Sequence, residues 1–292
     1  MLKRQKTLLQ LLEFAGRPLT HIELVKAAFL LRQETVLSRE RTYYDFVPYR
    51  FGPFSFALYR ELRALERDGY ILDDDRSVRL NDRMRRESQE KSSEIPCEWR
   101  SAIRRTVSEY LSGSQDELLR DVYQRYPWYT LKSELRRFIK QKPTTQRAPI
   151  AVYTVGYEGK SVDGFFNAML ESGIAAILDV RANPISRKYG FAKKSMTEIA
   201  TKLGLAYFHL PELGISSSDR SSLNDCDSYQ RLLDRYEHEM LPTRSDAISV
   251  ASDLVQKEPA ALLCMERDVR CCHRSRLALA VGDETGLPVT HL

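Results

Sequence analysis

The sequence predicts an α/β protein: a three-layer C-terminal domain on a mostly parallel sheet, preceded by a winged helix-turn-helix and a helical extension. Three observations predict it. From Ile150 onward, short apolar runs alternate with helical stretches, the pattern of strands covered on both faces by crossover helices. Residues 1–90 read instead as three helices closed by a short hairpin. Between them "KQKPTTQRAP" breaks the periodicity with prolines, threonines and like charges, as a linker does. The expected organisation is a winged helix-turn-helix over 1–90, a helical extension and linker over 91–147, and an α/β domain over 148–292.

Leu8, Leu11 and Leu12 recur at helical spacing in the first helix. The second begins near Thr20, whose hydroxyl can cap it with Glu23 three positions on. In "SFALYRELRALERDGYI" a third helix turns Leu58, Leu62 and Leu65 inward and Arg60, Arg63 and Arg67 to other faces, and "GYILDDDRSVRLND" supplies two short strands around an acidic turn. The preceding "YDFVPYRFGPFS", with Pro48, Gly52 and Pro53, resembles the amino-terminal winged-helix domain of some bacterial defence and antitoxin-like proteins. That motif lays a helix in the major groove and basic side chains on phosphates, which makes Arg60, Arg63, Arg67, Arg76 and Arg79 the candidate DNA contacts. The alternative is a protein-binding winged helix with a salt-bridged surface, because Glu61, Glu66 and Asp68 sit among those arginines. Further helices follow over 95–140, where Leu118, Val122, Tyr123 and Tyr126 form a stripe that reads as core rather than as a base-stacking platform.

Composition narrows the class. Residues 1–147 carry 29 Lys and Arg against 21 Asp and Glu, a net of +8, whereas the remainder nets −3, so the first half is the candidate for meeting a polyanion. No apolar run reaches membrane-spanning length, and "MLKRQKTLLQLLEFAG" lacks a secretory core, so a cytoplasmic protein without membrane contact is expected. The five cysteines, Cys97, Cys226, Cys264, Cys271 and Cys272, are odd in number and mostly clustered, which fits reduced thiols and no structural disulfide. A homodimer through the winged helix is a further arrangement the sequence allows.

In the second half, "AVYTVGYEG", "IAAILDVRANP", "LAYFHLPELG", "AALLCME" and "PVTHL" read as strands, with helices between them. Polar residues fall at the strand ends: Tyr157 and Glu158, then Asp179 and Arg181, His209 and Glu212, Cys264 and Glu266. Because open α/β sheets bind ligands at the carboxyl ends of their strands, these separated segments are expected to empty into one crevice. The ordered motifs "TVGYEG", "LDVRANPISRKYGF", "YFHLPELG" and "LLCMERDVRCCHR" resemble the domain of unknown function 488 family over essentially all of residues 151–292. The resemblance implies this fold and a pocket lined by those motifs. The family pattern needs only the cysteine before His-Arg, which leaves Cys271 incidental.

Three chemistries compete for the crevice. A metal held by Cys264, Cys272 and His273 lacks short Cys-x-x-Cys knuckles, so neither metal nor cofactor is expected. A redox reading needs a low-pKa Cys272 beside a helix start with Cys264 as its partner. The third reading uses charge: Arg181, Ser186, Arg187, His209, Cys272, His273 and Arg274 form a phosphate-binding rim. Within it Tyr157 or Phe191 stacks on a base, and Asp179, Glu158 or Glu266 supplies acid/base or cation-stabilising groups. The bland alternative is that Asp179, Arg181, Arg187 and Glu266 only hold loops together. Joined to a DNA-reading domain, the charged crevice points to hydrolysis of an N-glycosidic bond in a modified or damaged nucleotide, in repair or phage defence, as a DNA glycosylase would perform it. The rival class is a DNA-binding regulator whose α/β domain senses a nucleotide or an oxidant, and a small-molecule enzyme is a third.

Overall fold

Leu8, Leu9, Leu11 and Leu12 bury one side of α1 (Lys3–Ala15), which Gly16 ends in the left-handed region at φ 64°. The computed structural model describes residues 1–141, 143–216, 218–219 and 226–292. They fall into two units, Met1–Thr144 and Thr145–Leu292. After β1 (Leu19–Thr20), Thr20 caps α2 (His21–Glu34): its hydroxyl accepts from Glu23 N at 3.1 Å, and Glu23 returns a carboxylate to Thr20 N at 2.8 Å. The aromatic, proline-rich segment forms a hairpin not expected from the sequence, β2 (Val47–Tyr49) against β3 (Gly52–Phe54), with Gly52 at φ 85°.

Helix α3 (Phe56–Arg67) buries Leu58, Leu62 and Leu65 and leaves Arg60, Arg63 and Arg67 exposed. Strands β4 (Ile71–Asp73) and β5 (Ser77–Leu80) pair antiparallel, and β5 also pairs with β1, so the three form one sheet. The turn between β4 and β5 is closed by Asp74, whose carboxylate accepts from the backbone N–H of Arg76 and Ser77. Helices α4 (Arg85–Ser93), α5 (Cys97–Tyr110) and α6 (Gln115–Arg125) complete the unit. One apolar cluster runs from Leu8 to Phe138, and it takes in Leu118, Val122 and Tyr123 of α6. Tyr126 packs edge-on to Phe29 at 4.9 Å, so the aromatic stripe is core.

In the second unit the elements are β6 (Val152–Gly156), α7 (Val162–Glu171), β7 (Ala176–Asp179), α8 (Lys193–Lys202) and β8 (Ala206–His209). There follow α9 (Cys226–Arg235), α10 (Ser245–Lys257), β9 (Ala260–Cys264), α11 (Arg274–Thr285) and β10 (Val289–His291). The five strands form an all-parallel sheet in the order β10-β6-β9-β7-β8. The chain steps one way across the sheet from β6 through β7 to β8, then back through β9 to β10. Right-handed crossovers therefore send α7 and α8 to one face and α10 and α11 to the other. Ala176, Leu178, Ala260 and Leu262 pack with Ile248, Ala251 and Val255 of α10 and with Leu277, Ala278 and Val281 of α11. The pleat turns Val155, Ile177 and Leu263, all buried, to the opposite face. Among the described residues no helix is long and apolar enough to cross a membrane.

Lys26 in α2 is buried, donates to Pro53 O at 2.9 Å, and is pushed down to about 7 by burial. Its folded value lies below the unfolded one, so the unfolded chain binds more protons between the two. The stability of the first unit should accordingly rise with pH from neutrality toward pH 10, by up to about 1.4 kcal/mol per unit. Both tryptophans, Trp99 and Trp128, lie in this unit, so urea unfolding followed by fluorescence reads the slope. The slope should vanish in Lys26→Met, and a flat wild-type profile over that window would refute the account.

Candidate functional site

The carboxyl end of β9 lies between those of β6 and β7, yet the helix after it leaves to the face opposite the helices after its neighbours. Strand ends that part in this way open the crevice of a doubly wound sheet. Cys264 ends β9 there, and Glu266 follows it. Gly156, paired with Cys264 across β6 and β9, makes room: a Cβ on it would stand 1.9 Å from Glu266 O. The buried Arg274 side chain fastens the same loop, donating from Nη1 to Glu266 O at 2.6 Å and from Nη2 to Arg267 O at 3.2 Å. Glu158 is exposed and accepts from Arg267 N at 2.9 Å, so it also braces this loop.

The polar residues expected in one crevice separate into two clusters, because the pleat sends them to different faces. Asp179, Arg181, Tyr157, Phe191, Tyr207 and His209 form the first. Asp179 is wholly buried; its carboxylate accepts from Arg181 Nε at 2.8 Å and Nη2 at 2.5 Å, and from Tyr207 Oη at 2.6 Å. Arg181 also donates to Phe191 O at 2.9 Å and to Tyr157 Oη at 3.3 Å. Burial opposes the Arg181 charge, but the hydrogen bonds and charge of Asp179 outweigh it and hold its pKa above the usual value. Tyr207 is raised by burial and by the same carboxylate. Tyr157 and Phe191 stack on each other at 4.3 Å and are both buried, so neither presents a free face to a base. His209 donates from Nε2 to Arg181 O at 3.0 Å and accepts at Nδ1 from Lys193 at 2.9 Å. Ser186 accepts from Lys188 N at 3.1 Å, and Arg187 is exposed.

The second cluster is Cys264, Cys272, His273 and Glu266, on the α11 side. Cys272 and His273 immediately precede α11 and are buried. One carboxylate oxygen, Glu266 Oε2, accepts from Cys264 Sγ at 2.9 Å and from Cys272 Sγ at 3.0 Å. His273 Nδ1 stands 3.7 Å and 3.9 Å from the same two sulfurs. The hydrogen bond to Cys272, together with burial, pushes the Cys264 thiol well above its ordinary value against the opposing influence of His273. Tyr229 Oη reaches Glu266 at 3.5 Å, and a π-helical turn, Tyr236–Met240, sets Tyr236 edge-on against His273 at 5.3 Å. Cys271 is exposed, and Cys97, Cys264, Cys271 and Cys272 are free. Nearby, Lys160 is lowered by burial and by Arg274 and Arg267.

Three tyrosines, Tyr207, Tyr229 and Tyr236, join these clusters without having been expected there from the sequence. Tyr207 shares the parity of Asp179 on neighbouring parallel strands, a signal that the register alone supplies. In the first unit, Arg60, Arg63, Arg67, Arg76 and Arg79 are all exposed; Arg67 pairs with Asp68 at 3.1 Å and Arg79 with Asp82 at 3.8 Å.

An all-parallel sheet with thiols, imidazole and carboxylate at one strand end defines an α/β protein with a polar site at its topological switch. Residues 161–281 of the second unit match the family described as domain of unknown function DUF488. The matched span begins after "TVGYEG" and includes Asp179, Glu266 and Cys272-His273-Arg274. No curated protein and no solved structure is significantly similar to the chain.

Removing the Asp179 carboxylate strands a buried guanidinium. Asp179→Ala should lower the stability of the second unit by about 3–5 kcal/mol, the cost of breaking a buried ion pair from one side. Urea unfolding followed by far-UV circular dichroism checks this, and an unchanged midpoint would show the pair to be idle.

Proposed function

We propose that this protein is a DNA-directed hydrolase that removes a modified or damaged base, with Glu266 as the catalytic carboxylate. The observation that carries the reading is Glu266 itself: a half-buried carboxylate at the topological switch, within reach of two thiols and a tyrosine hydroxyl. Cleavage of an N-glycosidic bond needs a carboxylate to activate water or to stabilise oxocarbenium character. Asp179 is a poor choice for that work, since it is locked in a buried ion pair with Arg181 and no part of it meets solvent. Its role in this reading is to hold the floor of the crevice.

Recognition of the polymer falls to the first unit, read as a winged helix-turn-helix. Three features support this: helices α1, α2 and α3 in order, the β4–β5 hairpin joined by β1, and five exposed arginines on α3 and the hairpin. In this reading α3 enters the major groove and Arg76 and Arg79 meet phosphates. The regulator reading, with Cys272 as the sensing thiol and Cys264 as its partner, takes its support from the two thiols meeting at one Glu266 oxygen.

Mass spectrometry of bases released from natural, damaged and hypermodified DNAs tests the proposal. Release by the wild type should fall about a thousandfold in Glu266→Gln while DNA binding persists. Replacing Arg63 and Arg67 with alanine should weaken binding and reduce its salt slope by about one for each phosphate no longer neutralised. Tight binding to every DNA without release of base or formation of abasic sites sinks the enzyme reading.

A further inference from the structure

Cys264 arrives from the end of β9, and Cys272 and His273 from the start of α11; their Sγ, Sγ and Nδ1 atoms lie within 4.8 Å of one another. We propose that these three buried residues bind a zinc-type divalent cation, with Glu266 in the fourth position on the half-buried side. Tetrahedral zinc, with Zn–S near about 2.3 Å and Zn–N about 2.0 Å, sets sulfur and nitrogen ligands about 3.6 Å apart. His273 Nδ1 stands 3.7 Å from Cys264 Sγ and 3.9 Å from Cys272 Sγ.

The imidazole is also turned for ligation. His273 Nε2 faces Val180 O at 3.2 Å, and a carbonyl can only accept, so in the neutral imidazole the proton is on Nε2 and the Nδ1 lone pair faces the sulfurs. Such an outer hydrogen bond is what orients a metal-binding histidine. Glu266 Oε2 touches both sulfurs, at 2.9 Å and 3.0 Å, and so lies where a fourth donor closes the polyhedron after a small withdrawal. Two sulfurs and an imidazole favour zinc over magnesium or calcium. A short knuckle is unnecessary here, because Arg274 and Gly156 fix the loop that joins the ligands.

On binding, each thiol loses its proton to the buffer and forms a sulfur–metal bond; Nδ1 gives its lone pair, and no group changes oxidation state. The two thiolates neutralise the dication, and the Glu266 carboxylate brings the site to a single negative charge. When the carboxylate swings away, a water can take the fourth position and be activated there. The site rests on this geometry and not on the DNA reading.

The test uses the full-length chain, stripped of metal under reducing conditions and titrated with Co2+ and then Zn2+. Uptake should reach about one equivalent, with a thiolate-to-cobalt charge-transfer band and the visible bands of tetrahedral cobalt. Zinc should release about two protons per ion at neutral pH. Cys272→Ser and His273→Ala should each weaken binding by more than the roughly hundredfold that loss of an outer-shell partner costs. Cys271→Ser, at an exposed position, should leave it unchanged. If Cys264→Ser does not fold, the wild-type cobalt spectrum still decides. The site is refuted if the reduced chain takes up neither ion, if the charge-transfer band survives loss of both buried cysteines, or if a Cys264–Cys272 disulfide forms in place of metal uptake. An intact cobalt site without base release overturns the proposed function alone.

Discussion

The parallel pairing of β9 with β6 on one side and β7 on the other is the constraint on which the site depends. A central parallel strand is buried on both faces, so its sequence is apolar through Leu263 and chemistry can begin only at its end. The chain must then pass over the end of β6 to reach α11. That path is possible because residue 156 carries no Cβ, and it is held because Arg274 takes two carbonyls of the returning loop. A larger residue at 156 would collide with backbone rather than with a flexible side chain, so the loop and the thiol cluster would move together.

The same pleat that builds the sheet divides the polar residues by their work. Asp179, Arg181, Tyr157 and Tyr207 satisfy one another so fully that they resemble a polar core more than a reaction centre. A satisfied network of this kind rigidifies the strand ends it joins. The α11-side cluster differs because its groups meet at one carboxylate oxygen and one ring nitrogen, both on atoms able to exchange a proton or a metal. Rigidity on one face thus supports exchangeable chemistry on the other.

Much of this was legible in the sequence, and the failures have physical causes. Alternating apolar runs placed β6, β7, β8, β9 and β10, and the Thr20–Glu23 capping box marked the start of α2 as the structure has it. Strand-end position also brought Asp179, Arg181 and Glu266 to the carboxyl edge. Which face each would take was not legible, since face depends on parity counted from a strand start that the apolar run leaves uncertain by a residue. That Cys264 and Cys272 meet at all was not legible, for a related reason. Ligand spacing rules describe knuckles closed by local turns, whereas Cys264 and Cys272 meet through a loop whose path is set by Gly156 and Arg274. The β2–β3 hairpin was hidden by Pro48 and Pro53, which face each other across its register and would weaken either strand alone.

The two units place opposite demands on electrostatics, and this separates binding from chemistry in the proposed enzyme. Exposed arginines on α3 and the hairpin act through solvent, so the hold on a polyanion proposed for them would weaken steeply as salt is added. The Cys264, Cys272 and His273 cluster is buried, and its hydrogen bonds and field are screened far less. Salt should therefore act on the affinity for the polymer and hardly on the step that follows binding. In the proposed enzyme, a labile, charge-driven contact would carry DNA scanning while the reactive groups keep one arrangement.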